Sequence, residues 1–305
     1  MTTPLGEKMK HLITTADFSN EEILKLFDDA KMFLDLKSNN LLQGKIIVTL
    51  FFENSTRTRS SFEIAAKRLG AEVVNLEVQT SSTKKGETVE DTIANLDAMK
   101  PNAIIIRHSD CGLPASLVKF IKCPILNAGD GRNAHPTQAL LDLYTIMDHY
   151  NYDVDGKNVA IVGDILNSRV ASSNLELLPR FGINPILVTP KMFNVVSEYK
   201  SVKNIKKVID DIDIILSLRV QHERHNFSRT QEELEKSTKK YAKKYCITKD
   251  IIQNRDLIVL HPGPVNRNID ISDEVLLDSR SKVLEQVTNG VAIRMACLKK
   301  LILNQ

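Results

Sequence analysis

Apolar residues in this chain gather into short runs, and the stretches between the runs carry apolar positions at helical spacing. Runs at 45–52, 72–76, 103–106 and 124–127 have little polar alternation, the pattern of strands buried in a parallel sheet. A second series at 158–162, 184–188, 213–217 and 257–260 follows the turn-rich string Asn151-Tyr-Asp-Val-Asp-Gly156. Strand and helix in strict alternation predict an α/β chain of two domains, each a parallel sheet flanked by helices. Residues 136–150 have helical spacing, with Pro136 suited to a first helical turn, and are expected to form a helix bridging the domains.

Length supports two domains: 305 residues exceed one minimal domain and bury roughly three quarters of the unfolded surface. Apolar residues at 42% and charged residues at 26% are ordinary for a globular protein. No apolar run approaches the roughly 18 residues a membrane helix needs, and no signal-peptide core opens the sequence, so a cytoplasmic protein is expected. The 41 basic and 38 acidic side chains leave +3, too balanced to make nucleic acid the main ligand. Cys111, Cys123, Cys246 and Cys297 are widely spaced. Without close pairs they read as reduced and structural, and no metal is implied.

In parallel sheets ligands gather at the carboxyl ends of strands, and polar groups follow six of the runs here, after residues 52, 106, 127, 162, 216 and 260. The densest is Phe52-Glu-Asn-Ser-Thr-Arg-Thr-Arg-Ser-Ser-Phe-Glu63. There a strand runs into a helix start carrying hydroxyls and guanidiniums, with Asn54 or Ser55 as N-cap. The first N–H groups of a helix have no intrahelical partner and sit at the positive end of its dipole, so an anion is favoured there. Ser55, Thr56 and Thr58 add donors, and Arg57 adds a planar fork. The loop Ser81-Ser-Thr-Lys-Lys-Gly-Glu-Thr88 carries two lysines and a glycine, and a flexible lysine loop of this kind can close over a phosphate bound elsewhere. Arg107 follows the 103–106 run, and His135-Pro-Thr-Gln138 opens the bridging helix with two donors three residues apart. In the second half, Val162-Gly-Asp-Ile-Leu-Asn-Ser-Arg169 lacks the spaced glycines of a dinucleotide fingerprint. Arg169 and Arg219, with Gln221 close behind, suit a ligand bearing two carboxylates. His261-Pro-Gly-Pro-Val-Asn-Arg267 forms a proline-bounded turn whose carbonyls can accept from an amine. The basic segment Lys236 to Lys244 reads as a solvated surface.

These strings, in this order, resemble the aspartate/ornithine transcarbamylase family over nearly the whole chain. Ser-Thr-Arg-Thr-Arg and His-Pro-Thr-Gln mark the superfamily, and Arg219-Val-Gln221 with His261-Pro-Gly-Pro264 points to the aspartate branch. The resemblance implies a carbamoyl-phosphate domain of residues 1–134 plus 289–305, the last helix returning to it, and an aspartate domain of residues 135–288. It implies carbamoyl transfer from carbamoyl phosphate to L-aspartate, in de novo pyrimidine biosynthesis, with no cofactor and no metal. It also implies a homotrimer with shared sites, into which the Ser81–Lys85 loop of a neighbour enters, and leaves open a regulatory chain or a dihydroorotase-like partner. Carried over residue by residue, Ser55, Thr56, Arg57, Thr58, Ser81 and Lys85 hold the phosphate, while Arg107, His135 and Gln138 hold the carbamoyl group. Lys85, Arg169, Arg219 and Gln221 take the aspartate, Pro262 and Gly263 line the site through their backbones, and Arg57, Arg107 and His135 are catalytic. The chain departs from many relatives at Asn167 and Ser172, where they carry histidine and arginine, but keeps Arg169. The alternatives are a transcarbamylase for ornithine or another amino acid, and a non-catalytic relative binding phosphate or nucleic acid.

Overall fold

The computed structural model describes residues 11–35, 38–77, 88–220 and 231–303, with only the backbone described at 231–234. Two compact units emerge, one of Met1–Leu140 with Thr288–Gln305 and one of Leu141–Val287.

The first unit is built on a four-stranded parallel sheet in the order β2-β1-β3-β4, from β1 (Ile46–Phe51), β2 (Glu72–Glu77), β3 (Ala103–His108) and β4 (Ile125–Asp130). The central strands are buried almost throughout, as expected where helices cover both faces. Among the described residues they are accompanied by α1 (Asn20–Leu34), α2 (Thr56–Arg68), α3 (Val89–Ala98) and α4 (Leu113–Leu117). Helix α1 starts at a capping box, in which Ser19 Oγ accepts from Glu22 N at 3.2 Å and Ser19 N donates to Glu22 Oε2 at 3.0 Å, satisfying two orphan donors. Helix α2 buries Phe62, Ala65 and Ala66. Burying an aromatic of this kind is worth about 3–5 kcal/mol against alanine, so the helix start is held rigidly at the end of β1. The helix is followed by Gly70 at φ +82°, where an added Cβ would stand 3.1 Å from Asn39 O and 3.2 Å from Asn40 Cα.

The second unit carries a five-stranded parallel sheet in the order β7-β6-β5-β8-β9, from β5 (Asn158–Val162), β6 (Asn184–Val188), β7 (Ser201–Val202), β8 (Ile214–Ser217) and β9 (Ile258–Leu260). Its core packs Ala160, Val162, Ile186, Val188, Ile215 and Val259 against Ile247 and Ile251. Further helices are α5 (Pro136–His149), α6 (Arg169–Leu177), α7 (Gln231–Tyr245), α8 (Lys249–Ile252), α9 (Asp273–Leu276) and α10 (Val283–Leu303). The division between the units falls inside α5 and inside α10.

The α/β class, the two parallel sheets and the bridging helix are as the hydrophobic pattern predicts. Strand β7, two residues long, has no signature in the sequence, and α10 begins at Val283, ahead of the expected 289, its opening turns carrying the exposed Leu284 and Val287. In each sheet the chain first builds to one side of a strand and then crosses to the other: β1 lies between β2 and β3, and β5 between β6 and β8. The crevice beyond the carboxyl ends at such a switch is where open α/β sheets bind ligands.

Candidate active site

In the first unit the switch lies between β1 and β3, where Phe51 pairs with Arg107. Residues leaving β1 turn directly into α2, with Ser55 as N-cap, and the Ser55 side chain makes no cap hydrogen bond. The hydroxyl and the first-turn N–H groups are therefore unspent by the helix itself, the arrangement that receives an anion. Thr56 and Arg57 are exposed, while Ser55 and Thr58 are half-buried. Arg107, leaving β3, is held from two sides: its Nε donates to Glu53 Oε2 at 3.2 Å and its Nη1 to Ala128 O at 3.4 Å. The Phe52 and His108 rings meet edge-on at 4.7 Å. The ends of β1, β3 and β4 thus converge on one place.

The approach to His135 is organised by Asp130, which is fully buried. Its Oδ1 accepts from Asn127 Nδ2 at 2.7 Å and Ala134 N at 3.1 Å, and its Oδ2 from Gly112 N at 2.6 Å and Asn133 Nδ2 at 2.9 Å. Four donors on one carboxylate offset the cost of burying its charge and fix the loop that delivers His135 and Gln138, 5% and 7% exposed, to the start of α5.

In the second unit the switch lies between β5 and β8, with Val162 paired to Ser217. Ser168 caps α6, its Oγ accepting from Ala171 N at 3.1 Å, and places Arg169, only 6% exposed, at the first helical position. Arg219 follows β8 and is half-buried. Gly163, at φ +128°, brings the two crossing points together, since a Cβ there would meet Tyr241 Oη at 2.9 Å and Leu218 O at 3.2 Å. Burial, followed by the charges of Asp270 and Asp164, raises the Tyr241 phenol well above its ordinary value, so it remains a neutral donor. Asn167, the departure noted in the sequence, donates to Asp164 Oδ1 at 2.9 Å, and Ser172 is exposed.

The turn after β9 is braced by its own histidine. His261 Nδ1 accepts from Gly263 N at 2.9 Å, so the ring proton sits on Nε2, which faces Asp270 Oδ2 at 3.2 Å. Asp270 Oδ2 also accepts from Asn266 N at 2.9 Å. Pro262 and Gly263 are thereby set with half-buried backbones, and the Gly263–Pro264 peptide is cis.

The structure thus gathers Ser55, Thr56, Arg57, Thr58, Arg107, His135 and Gln138 at the sheet edge of the first unit, and Arg169, Arg219, Pro262 and Gly263 at that of the second. Ser81, Lys85 and Gln221 lie outside the described residues. Glu53, Asp130 and Asp270 were missed. Asp130 sits in the Gly-Asp-Gly string, where glycine suggests only a turn, and Asp270 has no motif around it. Burial raises the Cys123, Cys246 and Cys297 thiols to about 12, about 11 and about 12, and all four cysteines are free. Among the described residues no group of three or more His, Cys, Asp or Glu is placed to hold a metal ion, and no helix is long and apolar enough to cross a membrane. Lys236 to Lys244 fall in α7, with Lys239, Lys240, Lys243 and Lys244 exposed.

Known proteins give the same picture at the level of family. Residues 10–148 match the model of the aspartate/ornithine carbamoyltransferase carbamoyl-P binding domain, and residues 155–301 that of the Asp/Orn binding domain. A relative from Aliarcobacter butzleri, named aspartate carbamoyltransferase catalytic subunit, is 64% identical over 297 residues, 97% of this chain and 99% of its own. The catalytic subunit of M. jannaschii aspartate transcarbamoylase superposes with a TM-score of 0.86 at 35% identity, covering 97% of this chain and 99% of that one. Aspartate transcarbamoylase from Trypanosoma cruzi, solved with carbamoyl phosphate and aspartate, has a TM-score of 0.84 at 32% identity over 96% and 95% of the two chains. The chain belongs to the aspartate/ornithine carbamoyltransferase family.

Proposed function

We propose that the protein transfers the carbamoyl group of carbamoyl phosphate to the amine of L-aspartate, giving N-carbamoyl-L-aspartate and inorganic phosphate. One observation carries this reading: the Ser55-Thr-Arg-Thr58 helix start with an unspent cap lies at the sheet switch of the first unit, and two arginines, Arg169 and Arg219, lie at that of the second. A phosphate donor and a dicarboxylate acceptor are what those two sets can bind. The T. cruzi relative, solved with both substrates, supports the same pairing.

Ser55, Thr56, Arg57 and Thr58 hold the phosphate, joined by Ser81 and Lys85 from a neighbouring copy. Arg107, His135 and Gln138 hold the carbamoyl oxygen and amide. Lys85, Arg169, Arg219 and Gln221 bind the aspartate carboxylates, with the Pro262 and Gly263 carbonyls close to the amine. The first unit, completed by the last helix, is the carbamoyl-phosphate domain, and the second is the aspartate domain. In the reaction the amine nitrogen forms a bond to the carbamoyl carbon, an oxyanion develops, and the carbon–oxygen bond to phosphate breaks. Arg57, Arg107 and His135 stabilise the oxyanion, a role in which a single donor contributes about 100- to 1000-fold. Holding the two anions side by side supplies much of the rest. The amine proton leaves with the phosphate.

The reading extends to de novo pyrimidine biosynthesis, to the cytoplasm and to a homotrimer. Exposed Ile64 on α2 and Val74 on the edge strand β2 give apolar surface for contact between copies, and light scattering should return three times 34.3 kDa. The deciding experiment is carbamoyl transfer by the purified protein to L-aspartate and, in parallel, to L-ornithine. Product with aspartate alone supports the assignment, and product with ornithine alone overturns it. A pH profile set by a protein group near neutrality and abolished in His135→Ala would overturn proton transfer to phosphate.

A further inference from the structure

Three fully or almost fully buried polar side chains of the second unit have no part in the chemistry above. Asp142 on α5 accepts from Asn174 Nδ2 of α6 at 2.9 Å through Oδ2 and from Gln286 Nε2 of α10 at 2.7 Å through Oδ1. Asp142 and Asn174 are 0% and Gln286 3% exposed. A buried carboxylate costs free energy unless it is well paired, and here it is clamped by two amides on two different helices.

The orientation of both amides is dictated by the backbone. Gln286 Oε1 accepts from His261 N at 2.9 Å, so its Nε2 must point the other way, at residue 142. Asn174 Nδ2 also donates to Val170 O at 3.0 Å, so reversing that amide would set its oxygen against a carbonyl. Both NH2 groups therefore face residue 142, and only a side chain with acceptors alone satisfies both at once. Asparagine, the same size, would put an NH2 against an NH2 on one side or the other.

The clamp ends on two places that matter. One is α6, whose first residue is Arg169, and the other is the first residue of the His261–Pro264 turn, whose carbonyls line the proposed acceptor site. We infer that Asp142 is a positioning residue for the acceptor: through Asn174 and Gln286 it sets the separation between the Arg169 guanidinium and the Pro262 and Gly263 carbonyls. This rests on the aspartate assignment made above for those residues. Asp142 touches no substrate.

The test is an isosteric exchange. Asp142→Asn should raise the KM for L-aspartate about tenfold or more while the KM for carbamoyl phosphate stays within about twofold, the split expected of a residue acting on one substrate's site. Combining Asp142→Asn with Gln286→Glu restores the pattern, because the new amide at 142 donates to the new carboxylate at 286, whose other oxygen still accepts from His261 N. The double variant should return to within about threefold of the wild-type KM for aspartate. If Asp142→Asn alone does not yield folded protein, judged by circular dichroism, the double variant and Asn174→Ala decide, the latter loosening one arm and raising the aspartate KM alone. Wild-type kinetics in Asp142→Asn, no rescue in the folded double variant, or both KM values rising together would overturn the inference while leaving the function standing. A wild-type protein that does not carbamoylate aspartate would overturn the functional reading and this inference with it.

Discussion

The two units place a serine at the same topological point, one residue ahead of the helix that follows the central strand of the switch, and use it in opposite ways. Ser168 spends its hydroxyl on Ala171 N and is buried, whereas Ser55 makes no cap bond and is half-buried. The first unit leaves its helix start without a side-chain cap, as the proposed phosphate site requires. The second closes its own and presents the Arg169 side chain instead. The contrast extends outward: Ser55 to Thr58 of the first unit are exposed or half-buried and contiguous in sequence, while in the second Arg169 is buried and the turn after β9 rests on buried hydrogen bonds from His261 to Asp270 and Gln286. A phosphate can be met by backbone N–H groups and mobile hydroxyls, whereas two carboxylates at fixed separation need guanidiniums held by a rigid frame.

The contrast breaks most visibly with the arginines. Arg57→Ala should lower kcat/KM by about 100- to 1000-fold with the thermal midpoint unchanged, because Arg57 is exposed. Arg169→Ala should raise the aspartate KM and lower the midpoint as well, because Arg169 is 6% exposed. Steady-state kinetics alongside differential scanning calorimetry separate the two, and an equal loss of stability in both would end the comparison.

Next in size are the glycines. Gly163→Ala forces a Cβ against Tyr241 Oη and Leu218 O at φ +128°, and should cost at least about 2 kcal/mol in urea unfolding. Gly44, at φ +73° with nothing within 4 Å of an added Cβ, pays only the left-handed conformation, about 1 kcal/mol. The serines come third. Ser168→Ala should lose about 1 kcal/mol of stability, and Ser55→Ala should lose none while weakening carbamoyl phosphate binding, read by titration calorimetry.

The smallest effect is in the acid limb. The Asp278 carboxyl is held far below its ordinary 3.8 by Arg280 and Lys249. Its folded pKa is depressed, so its contribution is present above that ordinary value and is lost as pH falls below about 4. Asp278→Asn should flatten the fall of thermal midpoint with acid in that window. Glu63 in the first unit is also lowered, chiefly by its hydrogen bond to Lys67, but the pair is exposed and of the i,i+4 kind, so Glu63→Gln should change stability by no more than about 0.5 kcal/mol.

The sequence made the first unit's site legible because Ser55 to Thr58 follow one another and their chemistry follows from a single helix start. Strand positions were readable for a similar reason, since buried parallel strands such as 46–51 are nearly all apolar. The second unit's frame was not. Asp142, Asn174 and Gln286 lie far apart in sequence, each an ordinary polar residue on a helix, and only packing reveals that they meet. Asp270 was hidden in the same way, because its partner His261 drew attention to the turn and the carboxylate that orders the turn stands outside the motif. Local chemistry leaves local traces, whereas buried hydrogen bonds between elements leave none.

The last helix carries a consequence for how the molecule is made. Thr288–Gln305 belongs with the first unit, where Lys299 Nζ reaches Asp29 Oδ1 at 2.6 Å, Lys300 Nζ reaches Glu22 Oε1 at 3.1 Å, and Arg294 Nη1 donates to Ser61 Oγ at 3.1 Å. The second unit is a single uninterrupted stretch. On the ribosome, where domains form as units in order of emergence, the unit begun first therefore cannot be finished until the final helix has left the exit tunnel. The earlier-begun unit is therefore the later of the two to be sealed, although most of its residues emerge first.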